Sequence, residues 1–116
     1  MKQYALALDL KDDPQLIAEY EQYHRQVWPE VLAAIRHVGI LEMKIFRTGN
    51  RMFMLMETSD DYDPQRAAAY FESDAKSQQW EQLMDKFQQR LVWAPADDKW
   101  VPMDCCFQLS QQSLRG

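Results

Sequence analysis

Residues 41–58, LEMKIFRTGNRMFMLMET, decide the fold because they predict two antiparallel strands joined by a tight turn. Apolar and polar residues alternate along residues 41–47, and a period of two is typical of a strand with one buried face. The Thr48-Gly49-Asn50 segment predicts the turn, and residues 51–58 predict the return strand. One side of the first strand carries Leu41, Met43 and Ile45, and one side of the second carries Met52, Met54 and Met56.

The segments before this hairpin predict a strand followed by helix. Residues 4–10 alternate, and their bulky side chains share one side: Tyr4, Leu6, Leu8 and Leu10. Asp13-Pro14 supplies an N-cap and a first-turn proline. Apolar residues then recur at three- and four-residue steps, as on one helix face: Leu16, Ile17, Tyr20, His24, Val27, Val31, Ile35 and Val38. We expect Pro29 to kink this helix or begin a second one after Trp28, and Gly39 to end it.

The segments after the hairpin predict two further helices and a closing strand. Asp63-Pro64 repeats the helix-start signal, and the short helix behind it carries Ala67, Ala68, Tyr70 and Phe71. A second helix from about Ala75 has an apolar face made of Trp80, Leu83, Met84, Phe87 and Leu91. Residues 93–100 predict a loop, residues 103–109 alternate as a last strand, and residues 110–116 are expected to form a loose tail.

The predicted order, β-α-β-β-α-β, is that of the ferredoxin-like arrangement. We therefore expect one α+β domain spanning residues 1–116, with an antiparallel four-stranded sheet and helices on one face. There are too few helices to cover both faces of such a sheet. A ligand, a second copy of the chain or both could cover the free face, and from this we expect a homodimer.

Composition and charge exclude several function classes. The chain has 116 residues, which suits a single core, and its net charge is -5 without a cluster of Lys and Arg. Nucleic acid and anionic membrane both require a basic face, so neither is an expected partner. A small neutral molecule fits this charge better than a phosphorylated one.

Targeting signals and cysteines indicate the compartment. The sequence lacks the charged n-region and the apolar h-region of a secretory signal peptide. No apolar run approaches the ~20 residues of a membrane-spanning helix. Cys105 and Cys106 are adjacent, so they can bridge each other only with strain. We expect both to be packed free thiols of a cytoplasmic protein.

Metal and phosphate sites find no support in the sequence. The two histidines, His24 and His37, lie thirteen positions apart and match no usual ligand spacing. We interpret His37 as structural because it lies near a helix end. No glycine-rich phosphate loop occurs, and we expect neither a metal nor an organic cofactor.

Three residues of the first helical segment carry the candidate chemistry: Tyr20, His24 and Trp28. Their spacing of four and four directs them to nearly the same side. An imidazole exchanges protons near neutral pH, a phenol bonds polar ligands, and an indole offers a flat apolar wall. Spacing alone leaves a second interpretation open, in which His24 is a core residue bonded to a backbone carbonyl.

Residues 19–30, EYEQYHRQVWPE, resemble the corresponding helix of the L-rhamnose mutarotase family through the pattern Tyr-x3-His-x3-Trp-Pro-Glu. The resemblance continues through Gly39 and the hairpin, and returns at residues 77–80, SQQW, and Met84. It implies a dimeric ferredoxin-like α/β barrel that interconverts the α and β anomers of a sugar at C1. It also implies that His24 is the proton donor and that Tyr20 and Trp80 contact the sugar.

Two positions depart from the pattern of that family. A hairpin tyrosine of the family falls on Met43, and the second of two consecutive tryptophans falls on Glu81. Both positions are predicted to face substrate, so the changes bear on which sugar is bound. The resemblance implies a 6-deoxy-L-hexose, with L-fucose as the first candidate and L-rhamnose as the second.

Mutarotation needs one proton removed from the O1 hydroxyl and one delivered to the ring oxygen. We expect His24 to protonate the ring oxygen, and Glu30, Glu57 or a bound water to be the base. The alternative function is a cofactor-free monooxygenase or a ligand-binding module on the same dimeric fold. Such a protein would hold a flat aromatic molecule in a cavity lined by methionines and Trp80.

Overall fold

Residues 1–112, which the computed structural model describes, alternate between strands and helices in the predicted order. The elements are β1 (Lys2–Leu10), α1 (Pro14–His24), α2 (Pro29–His37), β2 (Ile40–Thr48), β3 (Arg51–Thr58), α3 (Pro64–Ser73), α4 (Ala75–Met84), β4 (Gln88–Gln89) and β5 (Val101–Pro102), followed by a 3-10 turn at Leu109–Gln111. This order confirms the ferredoxin-like α+β prediction.

Aspartate–proline pairs begin two of the helices, as predicted. The Asp13 carboxylate accepts hydrogen bonds from the backbone N–H groups of Gln15 and Leu16, at 2.9 and 3.3 Å. Asp63 caps α3 in the same way. Pro29 begins the separate helix α2, because the preceding Trp28 adopts an extended conformation that a residue before proline favours.

The sheet has strand order β2-β3-β1-β4, and β5 also pairs with β1. All of these pairs are antiparallel. Two strands of two residues each therefore occupy the place expected for one fourth strand. The predicted strand at residues 103–109 is wrong: the Met103 N–H still donates to the Ala5 carbonyl at 2.8 Å, and the chain then leaves the sheet.

The hairpin forms as predicted, with one change of side. Gly49 has φ of +57°, a conformation that glycine adopts without strain, and it makes the tight turn. The register shifts between Ile40 and Glu42, which makes Leu41 the extra residue of a β-bulge. Leu41 is therefore 59% exposed, although the alternation predicts it on the same side as Met43. Ile40 takes the inward position instead and is buried.

The core lies between the helices and one face of the sheet, and it divides into two clusters. The first cluster contains Leu8, Leu10, Tyr20, Val31, Met52, Trp80, Met84 and Phe87. The second contains Ile40, Met54, Met56, Tyr62 and Ala67. Ile35, Ile45 and Trp100 pack against both. Helix α4 ends at Met84, so Phe87 reaches the first cluster from the segment beyond the helix. Leu91 is also buried, but on the other face of the sheet, beside Ala7 and Trp93.

Within residues 1–112, no helix covers the other face of the sheet. Phe46 and Phe53 stack there with ring centroids 6.0 Å apart, and Phe46 is 53% exposed. The guanidinium of Arg51 lies over the ring of Trp93, which comes from the predicted loop. This face, with its apolar exposed side chains, is called the open face below.

Three sequence predictions concern the termini and the surface. Cys105 and Cys106 are free thiols, but both are exposed, so the expectation that they are packed is wrong. The 3-10 turn at Leu109–Gln111 begins the predicted tail, whose residues 113–116 lie outside the described residues. Within residues 1–112, no helix has the length and apolar character required to cross a membrane.

Candidate active site

His24 is the last residue of α1, and its imidazole is held by its own helix. Its Nδ1 lies 2.9 Å from the carbonyl oxygen of Tyr20, one turn earlier. Because a carbonyl oxygen only accepts, Nδ1 must carry the proton in this hydrogen bond. In the neutral ring, Nε2 is therefore unprotonated and has a lone pair for a ligand. His24 therefore makes the backbone hydrogen bond that is expected of a core histidine, and its Nε2 is still available to a ligand.

The surroundings of His24 favour the neutral form of the ring. Burial lowers the pKa of His24 below its usual 6.5, and the hydrogen bond to the Tyr20 carbonyl offsets part of this change. Desolvation penalises the imidazolium because the charged ring loses more hydration than the neutral ring. His24 is thus uncharged at neutral pH and begins any proton transfer as an acceptor.

Aromatic rings form the walls around this imidazole. The ring of Trp80 lies edge-on to His24, with centroids 5.6 Å apart, and to Trp28, with centroids 5.2 Å apart. Trp28 lies in the break between α1 and α2, and not on a continuous helix face. His24 and Trp28 still lie close together, because α1 and α2 both pack against α4 through Trp80. The ammonium of Lys76 lies 5.8 Å from the centroid of the Trp28 ring.

Tyr20 is a buried member of the aromatic cluster and packs against His24. Its ring is 4% exposed and lies against His24, with centroids 4.2 Å apart. Burial raises the pKa of Tyr20 to about 12, the side-chain amide of Gln88 opposes this rise, and the charge of Glu81 adds to it. The phenol is therefore neutral, and it can donate or accept a hydrogen bond but cannot act as a base.

Glu81 belongs to an ion-pair network at the edge of the cluster. The ammonium of Lys99 contacts carboxylate oxygens of Glu81 and Asp85, each at 2.6 Å. Burial alone lowers the pKa of Lys99, but hydrogen bonds to Asp85 and Glu81 outweigh this and raise it. The network joins α4 to the loop before β5. Sequence reasoning missed Lys99, because nothing in the pattern of a loop residue indicates its distant partner.

The same loop is held at its other end by Arg90. One guanidinium nitrogen of Arg90 donates to the carbonyl oxygens of Pro95, Ala96 and Asp98, at 2.8, 2.9 and 2.6 Å. Trp100, at the end of the loop, packs against both core clusters. The loop is therefore an ordered wall beside the aromatic cluster, although its sequence shows no period.

Two further residues from the sequence analysis lie elsewhere. Met43 pairs with Met56 across the hairpin and packs against the second cluster, which Ile35, Ile45 and Trp100 join to the first. Glu57 alternates with the inward-facing methionines of β3 and bonds Gln3 on the opposite side of the sheet. Glu57 is thus separated by the sheet from His24, which removes it as a candidate base.

Comparison with known proteins gives concordant results. The family model described as L-rhamnose mutarotase matches residues 3–109. A protein of Xanthomonas campestris pv. campestris named L-fucose mutarotase is 44% identical over 113 residues, which cover 96% of this chain and 90% of the relative.

Solved structures share the fold. The L-rhamnose mutarotase of Formosa agariphila matches with a TM-score of 0.69 at 20% identity, over 94% of this chain and 99% of that one. The tetracenomycin F2 cyclase of Streptomyces glaucescens matches with a TM-score of 0.56 at 14% identity, over 93% and 98% of the two chains. At these identities the two likenesses bear on the fold alone.

Proposed function

The chain belongs to the L-rhamnose mutarotase family and is a sugar mutarotase, and from this premise we propose that it interconverts the α and β anomers of L-fucose, with His24 as the group that moves the proton. The observation that carries the assignment of His24 is the fixed Nδ1 contact to the Tyr20 carbonyl, which leaves Nε2 as the reactive nitrogen. Family membership also favours this function over the alternative of a monooxygenase or a ligand-binding module.

L-fucose is preferred over L-rhamnose for two reasons. The relative at 44% identity bears the name L-fucose mutarotase. The departure at Glu81 supports a changed site, because its carboxylate lies at the edge of the aromatic cluster and is already paired with Lys99. L-fucose and L-rhamnose differ in the configuration of ring hydroxyls, which a site reads through hydrogen bonds. We expect the protein to serve the catabolism of the deoxy sugar.

The geometry supports a mechanism in which His24 is base and then acid. The neutral Nε2 takes the proton of the O1 hydroxyl, the electrons of that O–H bond form the C1=O1 double bond, and the C1–O5 bond breaks. The ring oxygen O5 receives the same proton from the imidazolium. Rotation about C1–C2 and the reverse sequence close the ring on the other face. O1 and O5 are both bonded to C1, so one nitrogen can reach both, and no separate base is required.

The aromatic walls support binding of the sugar ring. Trp80 and Trp28 offer apolar surfaces against which the C–H groups of a pyranose can pack. Tyr20 offers a neutral phenol to a sugar hydroxyl. These three residues are the proposed binding groups, with Met43 and Glu81 at positions that select the sugar.

The test is exchange between the anomer signals of L-fucose and of L-rhamnose, measured by saturation-transfer NMR with and without the protein. We expect faster exchange of L-fucose than of L-rhamnose. His24→Ala is expected to lower kcat/KM by about 10²–10⁴-fold, the usual contribution of a positioned acid-base group. His37→Ala is the matched control, since His37 is exposed and stacks on Tyr70. Exchange at the wild-type rate in His24→Ala contradicts the proposed role.

Assembly and compartment are also part of the proposal. We propose that two copies of the chain associate through the open face, because its stacked phenylalanines lack a cover within residues 1–112. The free thiols of Cys105 and Cys106 favour a reducing compartment and hence the cytoplasm. Neither nucleic acid nor membrane is a proposed partner, since the net charge is -5.

A further inference from the structure

Gln88 reaches the candidate site from a direction that the helix pattern does not indicate. It lies in β4 and pairs directly with Leu10 of β1, whose side chain is fully buried beneath the helices. Residues directly opposite in an antiparallel pair present their side chains on the same face. The side chain of Gln88 is therefore on the helix side of the sheet, and that of the neighbouring Gln89 is on the open face.

The two ends of the Gln88 amide differ in their surroundings. The amide lies beside the Tyr20 phenol, and it lowers the pKa of that phenol against the larger effect of burial. Its oxygen Oε1 is buried, and no group within residues 1–112 donates a hydrogen bond to it. A buried acceptor without a donor is uncommon in folded proteins because it has lost its hydration without replacement.

The position of this oxygen connects it to the reacting group. Gln88 is next to Tyr20, and the Tyr20 ring lies 4.2 Å from the His24 ring, so one side chain separates the amide from the imidazole. The side chains that pack around Tyr20 are mostly apolar and donate nothing to Oε1. A sugar hydroxyl is a donor, and one that bonds to Oε1 would supply the partner that residues 1–112 do not.

We propose that Gln88 is a substrate-binding residue whose Oε1 accepts a hydrogen bond from one ring hydroxyl of the sugar and so selects its configuration. The inference rests on the proposed function, because it takes a deoxy sugar as the ligand of the His24 site. Gln88 acts on binding and orientation, and the proton transfer itself stays with His24.

The test combines a protein change with a ligand change. Gln88→Met removes the amide at nearly constant length, and Gln89→Met is the matched control on the other face of the sheet. Anomer exchange is measured by NMR for L-fucose and for its analogues that lack the hydroxyl at C2, C3 or C4. In the wild-type protein, loss of the hydroxyl bound by Gln88 is expected to raise KM about tenfold, the value of one hydrogen bond.

The expected result is a coupling between the two changes. Gln88→Met raises the KM of L-fucose about tenfold, and one analogue then loses nothing further, while Gln89→Met behaves as wild type. An unchanged KM in Gln88→Met, or equal losses for all analogues, overturns the proposal. Gln88→Asn, which withdraws the amide by one methylene, replaces Gln88→Met if that variant does not fold. If the wild-type protein exchanges neither deoxy sugar, the proposed substrate is wrong, and this inference falls with it.

Discussion

The imidazole of His24 shows how a single residue can be both anchored and reactive. One nitrogen is tied to the helix backbone at 2.9 Å, which fixes the plane of the ring and its tautomer. The other nitrogen keeps its lone pair. A free imidazole exchanges its two tautomers and rotates, whereas this hydrogen bond favours one tautomer and one orientation of the ring. The chemistry therefore depends on the protonation state of one known nitrogen.

The activity is predicted to be lost toward acid pH. The pKa of His24 lies below its usual 6.5, so the neutral ring that starts the reaction predominates at neutral and higher pH. As the pH falls through that lowered pKa, the ring becomes protonated and cannot accept the O1 proton. We expect kcat/KM to be constant from about pH 8 down to about 6.5 and to decrease below that.

Anomer-exchange NMR between about pH 5 and 8 measures this profile, after subtraction of the exchange without protein. A kcat/KM that rises as the pH falls would show that the imidazolium starts the reaction, contrary to the proposed order of steps.

At this scale the sequence predicts contacts made within one helix better than contacts between distant segments. The spacing of Tyr20 and His24 correctly implies that their rings meet, since both lie on α1. Gln88 and Lys99 could not be found in this way. Their neighbours depend on how β4 and the following loop pack against α1 and α4, which no local pattern specifies.

At the scale of the element, α4 carries Trp80 to the site, and its beginning is fixed by Asp74. The Asp74 carboxylate accepts a hydrogen bond from the Ser77 backbone N–H at 3.1 Å and another from the Ser77 hydroxyl at 2.6 Å. Trp80 follows within one turn of Ser77. The cap therefore contributes to stability and also fixes the position of the wall of the site.

Asp74→Ala and Asp63→Ala are predicted to differ in activity but not in stability. Each removes the N-cap of one helix, so each is expected to lower the free energy of unfolding by about 1 kcal/mol in urea titration. Only Asp74→Ala loosens the helix that carries Trp80, so only this variant is expected to raise KM for the sugar. An equal effect of both variants on KM argues against a wall formed by α4.

Elements were predictable where local signals decide them. The helix starts at Asp13 and Asp63 and the turn at Gly49 each follow from a few adjacent residues. The strand expected at residues 103–109 fails for a different reason. Its alternation is real, but β1 pairs only with Val101–Pro102 there, and an alternating pattern does not show whether a sheet edge is free.

The end of α4 illustrates the same limit. The apolar spacing continues past Met84 to Phe87 and Leu91, yet the chain turns into β4 because Gln88 pairs with Leu10. The Phe87 carbonyl accepts a hydrogen bond from the Lys11 N–H at 2.8 Å. Pairing with a strand far away in sequence thus overrides the helical period.

At the scale of the whole molecule, the sheet lies between the proposed catalytic site and the proposed dimer interface. The helix side holds the aromatic cluster with His24, and the open face exposes apolar surface around Phe46 and Phe53. The sheet separates the side chains of the two faces, and the loop of residues 93–100 connects them, since it carries Trp93 on the open face and Lys99 beside Glu81. The oligomeric state and the chemistry are therefore open to separate experiments.

Phe53→Lys is predicted to convert a dimer into a monomer. Phe53 lies in the row of the open face that also contains Phe46 and Ala7, and a buried lysine there lacks an opposite charge. Sedimentation analysis is expected to show half the mass of the wild-type assembly. Leu32→Lys, an exposed change on α2, is the control that should keep that mass. A monomeric wild-type protein contradicts the proposed homodimer.

The edge-on contact between the Trp80 and His24 rings also makes the protein its own optical indicator. A protonated imidazole quenches the fluorescence of a neighbouring indole, whereas a neutral one does so weakly. The ring centroids are 5.6 Å apart, so the emission of Trp80 follows the charge of His24. Trp93, on the other side of the sheet beside Arg51, responds instead to what covers that side. The other two indoles, Trp28 and Trp100, also emit, so the proton signal is the part of the emission change that His24→Ala abolishes and the subunit signal is the part that Phe53→Lys abolishes.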